Sequence, residues 1–326
     1  MSSSELTLSI AKTTAGHSAW QLENVCCNLC GSNRPMLLFS NDSHGYGLNT
    51  VCCDHCGLVY LDPRPTAREY ERLYQGLYEK LYPSAWMPGA LGDAIAETRL
   101  RWYGDFLSPE IKLLEIGPGS GAFLDAVQKK APGAAVFGVE PSPDAVKACR
   151  ERGLKVDRGY IEDFSGPAQV DCIAAFHVLE HALDPTALLV ELWKRLSPGG
   201  LLFAEAPNIL GRWRGLGMIH VAHPYQYSPN TFQALLEKTG FEVLQMAALE
   251  EKRFESSFRC IARKIKGPSS PSLPPAGLRD ATTDLGMLFQ ERLSGWQAEL
   301  IRFKLKRLVF RMLGPVLTRT LRKGLG

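Results

Sequence analysis

The amino-acid sequence predicts an α/β protein built around a mostly parallel sheet, with a small cysteine module before it and a helical tail after it. Three observations carry that expectation. Short apolar runs alternate with helix-period segments through the centre of the chain, a glycine-rich turn breaks the first strand–helix junction, and six of the nine cysteines fall between Cys26 and Cys56. Alternation at this spacing is the pattern of βαβ units. A length of 326 residues suggests two or three units rather than one. With 45% hydrophobic and 22% charged residues, the composition excludes a collagen, a low-complexity chain or wholesale disorder.

Taken in order, residues 1–23 are rich in Ser and Thr without a period and read as disordered. Residues 24–65 form the cysteine module, ending in Asp62-Pro63-Arg64-Pro65, which reads as a linker because proline cannot continue regular pairing. Residues 66–107 are a helical connector, with Tyr70, Leu73, Tyr74, Leu77, Tyr78 and Leu81 at three- and four-residue steps. The central unit spans 108–265. IKLLEIG, AVFGVE, VDCIAAFHV and GGLLFAEAP are its strands; AFLDAVQKK, SPDAVKACRERG and LLVELWKRL are its helices, the second capped by Ser142 with Pro143 at its first position. FEVLQMAALE and FRCIARK add two strands as an antiparallel edge. A Pro/Ser linker at 266–278 precedes the tail, 279–326.

Two features carry chemistry. Gly117, Gly119 and Gly121 lie between a strand and a helix, where glycine permits a tight turn and the helix N-terminus offers free N–H donors. Glu140 ends the next strand, where a carboxylate can accept from both hydroxyls of a ribose. Gly117, Gly119 and Ala122 also satisfy a dinucleotide pattern, so a nicotinamide-dependent oxidoreductase stays open. In the module, Cys27-x2-Cys30 and Cys53-x2-Cys56 are each followed by a glycine, Gly31 and Gly57, that allows the turn needed to aim two thiolates at one ion. Four thiolates favour zinc, with iron the rival, and a closed four-ligand set is structural. Cys26, Cys52 and His55 are surplus.

LLEIGPGSGAFL, GVEPSP and DCIAAFHVLEHALDPTALLVELWKRLSPGGLLFAEAPN resemble the successive motifs of class I S-adenosylmethionine-dependent methyltransferases. The resemblance implies a Rossmann-like fold with a mostly parallel seven-stranded sheet. It implies that Glu115 faces the methionine amino group, that the glycines pass the cofactor, and that Glu140 holds the ribose. It further implies that Pro141 and Ser142 flank the adenine, that Asp163 or its neighbour Glu162 contacts the adenine amino group, and that Phe176 and His177 lie beneath the methionine portion. His181 and His223 are the candidate bases. Asn208, His220, Tyr225 and Tyr227, in and beside a lid-like insertion from Gly211 to Tyr225, are candidates to face the acceptor. His181, His223 and Tyr227 could instead only anchor backbone, and Glu180 could be structural. The cysteine module, with CDHCGLVYLDPRPT, resembles N-terminal modules of bacterial methyltransferases of glycan, sugar and secondary-metabolite pathways. The implied reaction is methyl transfer to a small-molecule or glycan acceptor, possible examples being nucleotide-linked sugars. A non-catalytic binding or scaffold protein on the same fold is the alternative.

The net charge of +3 is too small to call for nucleic acid, yet the eight Lys/Arg after Glu299 meet no acidic residue. Leu285, Phe289, Leu293, Trp296, Leu300 and Phe303 form an apolar stripe beside Lys304, Arg307 and Arg311. Such a basic amphipathic helix suits an anionic membrane surface or a homodimer contact. The N-terminus lacks the basic start and apolar block of a secretory signal, so the sequence reads as cytoplasmic, with a peripheral position at the inner membrane face open to the tail.

Overall fold

The computed structural model describes residues 20–40, 42, 46–81, 89–213, 217–249, 256–265, 267, 288 and 291. Residues 1–19 of the expected disordered start and, apart from two residues, the basic tail lie outside them, whereas Leu22–Glu23, counted in that start, form a strand instead. Among the described residues no helix is long and apolar enough to cross a membrane.

The centre is the expected seven-stranded sheet. Its strands are β6 (Lys112–Ile116), β7 (Ala135–Glu140), β8 (Lys155–Arg158), β9 (Val170–Phe176), β10 (Leu196–Pro207), β12 (Phe241–Ala248) and β13 (Ser257–Lys264), in the order β12-β13-β10-β9-β6-β7-β8. β6 pairs in parallel with both β7 and β9, and β13 runs antiparallel to β10 and β12. The chain thus moves outward from β6 to β8, then crosses over to β9 on the other side of β6. That reversal opens a crevice at the carboxyl ends of β6 and β9, where ligands of open α/β sheets sit. Both faces of the sheet are covered, and consecutive residues serve opposite cores. Leu114 and Ile173 pack with Phe232 and Leu236, whereas Leu113 and Phe203 pack with Phe123 and Val127.

The connector is helical in pieces: α1 (Ala67–Arg72), a π-type turn over Leu73–Leu77, α2 (Tyr78–Leu81) and α3 (Ala90–Tyr103). The sheet helices are α4 (Ala122–Lys130), α5 (Pro143–Glu151), α6 (Pro185–Arg195) and α7 (Pro229–Lys238). Three of them start on a side-chain cap: Ser142 accepts from the Ala145 N–H, Asp184 from Ala187 and Ser228 from Thr231, each with proline in the first turn.

The module is not held at arm's length. β2 (Pro35–Ser40), β3 (Asn49–Cys53) and β4 (Val59–Leu61) form a sheet whose fourth strand is β11 (Tyr225–Gln226), from the insertion after β10. Cys27, Cys53, Cys56, Leu58 and Tyr60 share one apolar core with Leu114, Ile173 and Phe232. Asn28 clamps α6, its side chain accepting from the Thr186 hydroxyl at 2.6 Å and donating to Asp184 at 2.9 Å. The linker expected at 62–65 is a correction. β5 (Arg64–Pro65) pairs antiparallel with β1 (Leu22–Glu23), and Arg64 donates to Glu23, to the Leu183 carbonyl and to the Tyr225 hydroxyl. A proline at the end of a two-residue edge strand loses no needed donor, which is why the pairing survives it. Of the tail, Leu288 packs on Cys52, Ile209 and Trp213.

Candidate functional site

The glycine turn sits at the reversal point. Gly117, Gly119 and Gly121 have φ of 64°, 55° and 74°, all in the left-handed region. A side chain at Gly121 would be doubly opposed, since its Cβ would lie 2.5 Å from Leu154 Cδ1 and 2.9 Å from Cys149 Sγ. Gly121→Ala should therefore destabilise the protein by ~1–2 kcal/mol for the backbone and ~1–3 kcal/mol for the overpacking. A denaturant melt checks this; a wild-type midpoint would mean the turn relaxes freely.

Glu140 bridges this turn to the next. Its carboxylate accepts from the Gly119 N–H at 3.1 Å and the Ser142 N–H at 2.9 Å. Burial raises its pKa, and those two donors oppose the rise. Pro141 and Ser142 follow it at the surface of the crevice, Ser142 serving as the α5 cap. Glu115 is 2% exposed, and its Oε2 has no partner. Arg99 on α3 lies within electrostatic reach but spends its hydrogen bonds on Glu205, at 2.7 and 3.0 Å. Two buried carboxylates thus share one guanidinium. Burial, opposed by Arg99 and reinforced by Glu205 and Glu140, pushes the Glu115 carboxyl up to about 8. A ligand bringing an ammonium group would complete the charge balance.

The remaining residues assigned to the cofactor divide. Asp163 and Glu162 are exposed on a short 3₁₀ turn, and Asp163 accepts from the Tyr160 N–H at 2.9 Å as a local cap. The Phe176 ring lies in the core, stacked on Tyr103 and under the Arg99 guanidinium, so only its backbone lies at the strand end. His177 has φ 57°, the one non-glycine among the described residues in the left-handed region, and its Nδ1 meets Glu180 Oε1 at 3.2 Å. Such strain is tolerated where the surroundings fix it, often at a working site.

Beyond β9, three histidines, His177, His181 and His223, gather around the Glu180 carboxylate, and His220 packs against His223. The His181 and His223 rings are 4.7 Å apart, and His220 lies 3.8 Å from His223. His181 Nδ1 meets the Ala222 carbonyl at 2.7 Å; a carbonyl only accepts, so Nδ1 carries the proton and Nε2 the lone pair. The pKa of His181 is lowered by burial, partly offset by Glu180. His223 is lowered further, by burial and by the other histidines. Both rings are held neutral. The cluster adjoins the glycine turn, since a Cβ on Gly117 would touch Val178 at 3.4 Å.

Three of the residues expected to face the acceptor hold backbone or a neighbouring side chain. The Tyr227 hydroxyl donates to the Leu179 carbonyl at 3.1 Å and its ring is fully buried on Phe232. Tyr225 is 2% exposed, with its hydroxyl between Arg64 and the Leu183 carbonyl. Asn208 Oδ1 accepts from the Leu210 N–H in a local turn. The Asn208 Oδ1 and both tyrosine hydroxyls are spent on backbone or on Arg64, which anchors the loops that carry the histidines. His220 alone of that set joins the cluster. Sequence reasoning missed Tyr74 and Tyr78, which pack edge-on against His181, Tyr74 with its hydroxyl 3.2 Å from Nδ1. It also missed Arg99 and Glu205. The helical stripe of tyrosines was the available signal, but it equally describes a core face.

In the module, both knuckles repeat one geometry: Gly31 and Gly57 have φ of 77° and 74° and donate to the carbonyls of Cys27 and Cys53. The four sulfurs lie within 4.8 Å of one another, Cys27 to Cys56 at 3.4 Å and Cys30 to Cys53 at 3.5 Å. A tetrahedral zinc with ~2.3 Å bonds calls for such spacing, so the donor set fits the ion. Crowding divides the thiols: neighbouring sulfurs push Cys27 and Cys56 up, and lower Cys30 to about 7 and Cys53 further. Cys52, the residue before, faces the opposite side, buried with Val59 and Ile209.

Comparison with known proteins follows the same ground. The family described as "Methyltransferase domain" matches residues 85–246. A ubiquinone biosynthesis O-methyltransferase of Xylella fastidiosa (strain 9a5c) is 33% identical over 117 residues, 32% of this chain and 47% of the relative. One from Idiomarina loihiensis is 31% identical over 152 residues, 43% of this chain and 62% of the relative. The chain thus spans about half the length of the curated relatives it matches. A solved S-adenosylmethionine-dependent methyltransferase from Aquifex aeolicus superposes with a TM-score of 0.43 at 20% identity, covering 52% of this chain and 89% of that one.

Proposed function

We propose that this chain, which carries a class I S-adenosylmethionine-dependent methyltransferase domain, moves a methyl group to a hydroxyl of a small-molecule or glycan acceptor held beside the histidine cluster. When bound, S-adenosylmethionine supplies a methyl carbon on an already electrophilic sulfonium. The chain's own residues bind, orient and manage a proton. The observation that carries the reading is Glu115 Oε2, a buried carboxylate oxygen without a partner at the glycine turn. A methionine ammonium group would satisfy it. Glu140 keeps lone pairs for the ribose hydroxyls while its two backbone bonds fix its rotamer. An oxygen acceptor must lose a proton on methylation, and the cluster of His181 and His223 is where this chain can receive it. The names of the relatives support oxygen as the acceptor atom.

Calorimetry with S-adenosylhomocysteine tests the reading. Wild-type protein should bind, and Glu140→Ala should weaken binding by ~1.5–3 kcal/mol, as for hydrogen bonds to a charged group. Unchanged affinity would remove Glu140 from the site. Glu115 adds a pH signature. With its carboxyl at about 8 it is protonated in the free protein at neutral pH, and an arriving ammonium favours the carboxylate. Binding at pH 7 should therefore release a proton and tighten as pH rises toward 8. The apparent enthalpy should depend on the buffer's ionisation enthalpy, and Glu115→Gln should abolish that dependence. Equal enthalpies across buffers in the wild type would refute the assignment.

The four-cysteine site is proposed to hold structural zinc. The tail is proposed as a peripheral contact with an anionic membrane or a second copy of the chain. Truncation after Gly267 should then abolish flotation with anionic liposomes or collapse a dimer; no change in either would leave the tail without this role.

A further inference from the structure

We propose that Glu180, His181 and His223 form a second metal site, distinct from the four cysteines, that takes a divalent first-row transition ion of the zinc or iron(II) type. One ligand atom from each of the three side chains lies within 4.8 Å of the others. Among the described residues no lysine or arginine pairs with Glu180, which is 1% exposed; its Oε1 meets His177 Nδ1, and its Oε2 has no partner. His223 repeats the pattern. The Met218 backbone lies close to its ring, and its Nδ1 is buried without a partner. The bond from His181 Nδ1 to Ala222 leaves Nε2 with the ring's lone pair.

Glu180 and His181 are therefore each held by one atom, and all three groups are left with a lone pair to give. That is how metal ligands are oriented by the groups behind them. Leaving a carboxylate oxygen and an imidazole nitrogen buried and unsatisfied is costly, and one cation satisfies both. Two imidazoles and a carboxylate suit borderline divalent ions, whereas the thiolate set elsewhere in the chain is softer. Three protein ligands also leave coordination positions open. The His177 ring, carried on a left-handed backbone, meets the Glu180 carboxylate from behind.

The inference deepens the proposed function and rests on its placing of the acceptor beside this cluster. An acceptor hydroxyl bound to the ion loses its proton to solvent more readily. Its oxygen lone pair then forms the new C–O bond as the methyl C–S pair returns to sulfur, leaving S-adenosylhomocysteine. In the loaded state His181 and His223 are ligands, and the ion takes over the deprotonation.

The test is metal content of the full chain, stripped with a chelator, reloaded with zinc or cobalt(II), and desalted. Wild-type protein should retain one equivalent in the thiolate site and a second in the cluster. Glu180→Gln and His223→Gln should each lose only the second, keeping the thiolate-to-cobalt charge-transfer band and the circular dichroism of the wild type. A wild type that retains the thiolate equivalent alone overturns the site, and that result needs no variant to fold. Retention of the second equivalent by both variants overturns it as well. S-adenosylhomocysteine calorimetry on the same samples separates the two readings. Cofactor binding without the second equivalent sinks the metal site alone; a second equivalent without cofactor binding sinks the methyltransferase reading alone.

Discussion

His181→Ala should lose methyl transfer by about 10²–10⁴-fold while binding S-adenosylhomocysteine as the wild type does. The geometry gives two reasons for so large an effect. The Ala222 carbonyl fixes the tautomer, so the Nε2 lone pair is available, to a proton or to the proposed ion, without a reorganisation step. Burial lowers the ring's pKa, so the ring stays in its neutral form at and below neutral pH. A depressed histidine pKa also has a stability consequence. Below the ordinary value near 6.5 the unfolded chain gains a proton that the buried ring resists, so stability is full above that pH and falls as pH drops through it. His223, lowered further, acts in the same direction. The mutant should therefore unfold less readily in acid than the wild type, relative to each protein's stability at pH 8. Near-full turnover in His181→Ala would mean that alignment alone drives the transfer. Loss of cofactor binding together with turnover would mean the ring is structural.

The parts of this site that were legible in the sequence share a property: each follows from a local backbone demand. The left-handed turn at Gly117, Gly119 and Gly121, the Ser142 cap and the paired knuckles ending in Gly31 and Gly57 need particular residues at particular spacings. The antiparallel β12–β13 edge was legible through its two alternating runs. What escaped was decided by distant contacts. Tyr225 and Tyr227 looked like acceptor ligands because they are polar aromatics on a lid, but strand pairing of Tyr225 with Tyr60 and a hydrogen bond from Tyr227 to Leu179 bury both. Two-residue strands such as β11 and β5 carry no period to detect. Tyr74 was counted among core positions of an amphipathic helix, and only the fold brings His181 to it across 107 residues of chain. Arg99 sat unremarked on a connector helix until Glu205 and Glu115 gave it a buried electrostatic role.

Stripping the zinc proposed for the thiolate site, or replacing Cys53 by Ser, should damage far more than residues 24–65. A module joined by a linker would loosen alone and leave the sheet to bind cofactor undisturbed. Here Cys53 ends β3, which pairs with β4, which in turn pairs with β11 at Tyr225 and Gln226. β11 follows His223 by one residue, so the register of the thiolate site reaches the histidine cluster through two strand pairings. Tyr60 and Leu58 meanwhile pack in the same core as Leu114 and Ile173. Structural zinc contributes roughly 10–16 kcal/mol in apparent binding free energy to small zinc-held folds, more than the ~5–15 kcal/mol of a whole domain's stability. Only part of that can be carried by the shared core. The expected order of loss on chelation is therefore acceptor turnover first, the cooperative melt shifted down next, and S-adenosylhomocysteine binding last, because the glycine turn and Glu140 sit on strands that the module does not pair with. Turnover and melting temperature that survive complete loss of the thiolate-bound metal would show that the apolar core alone sets the lid.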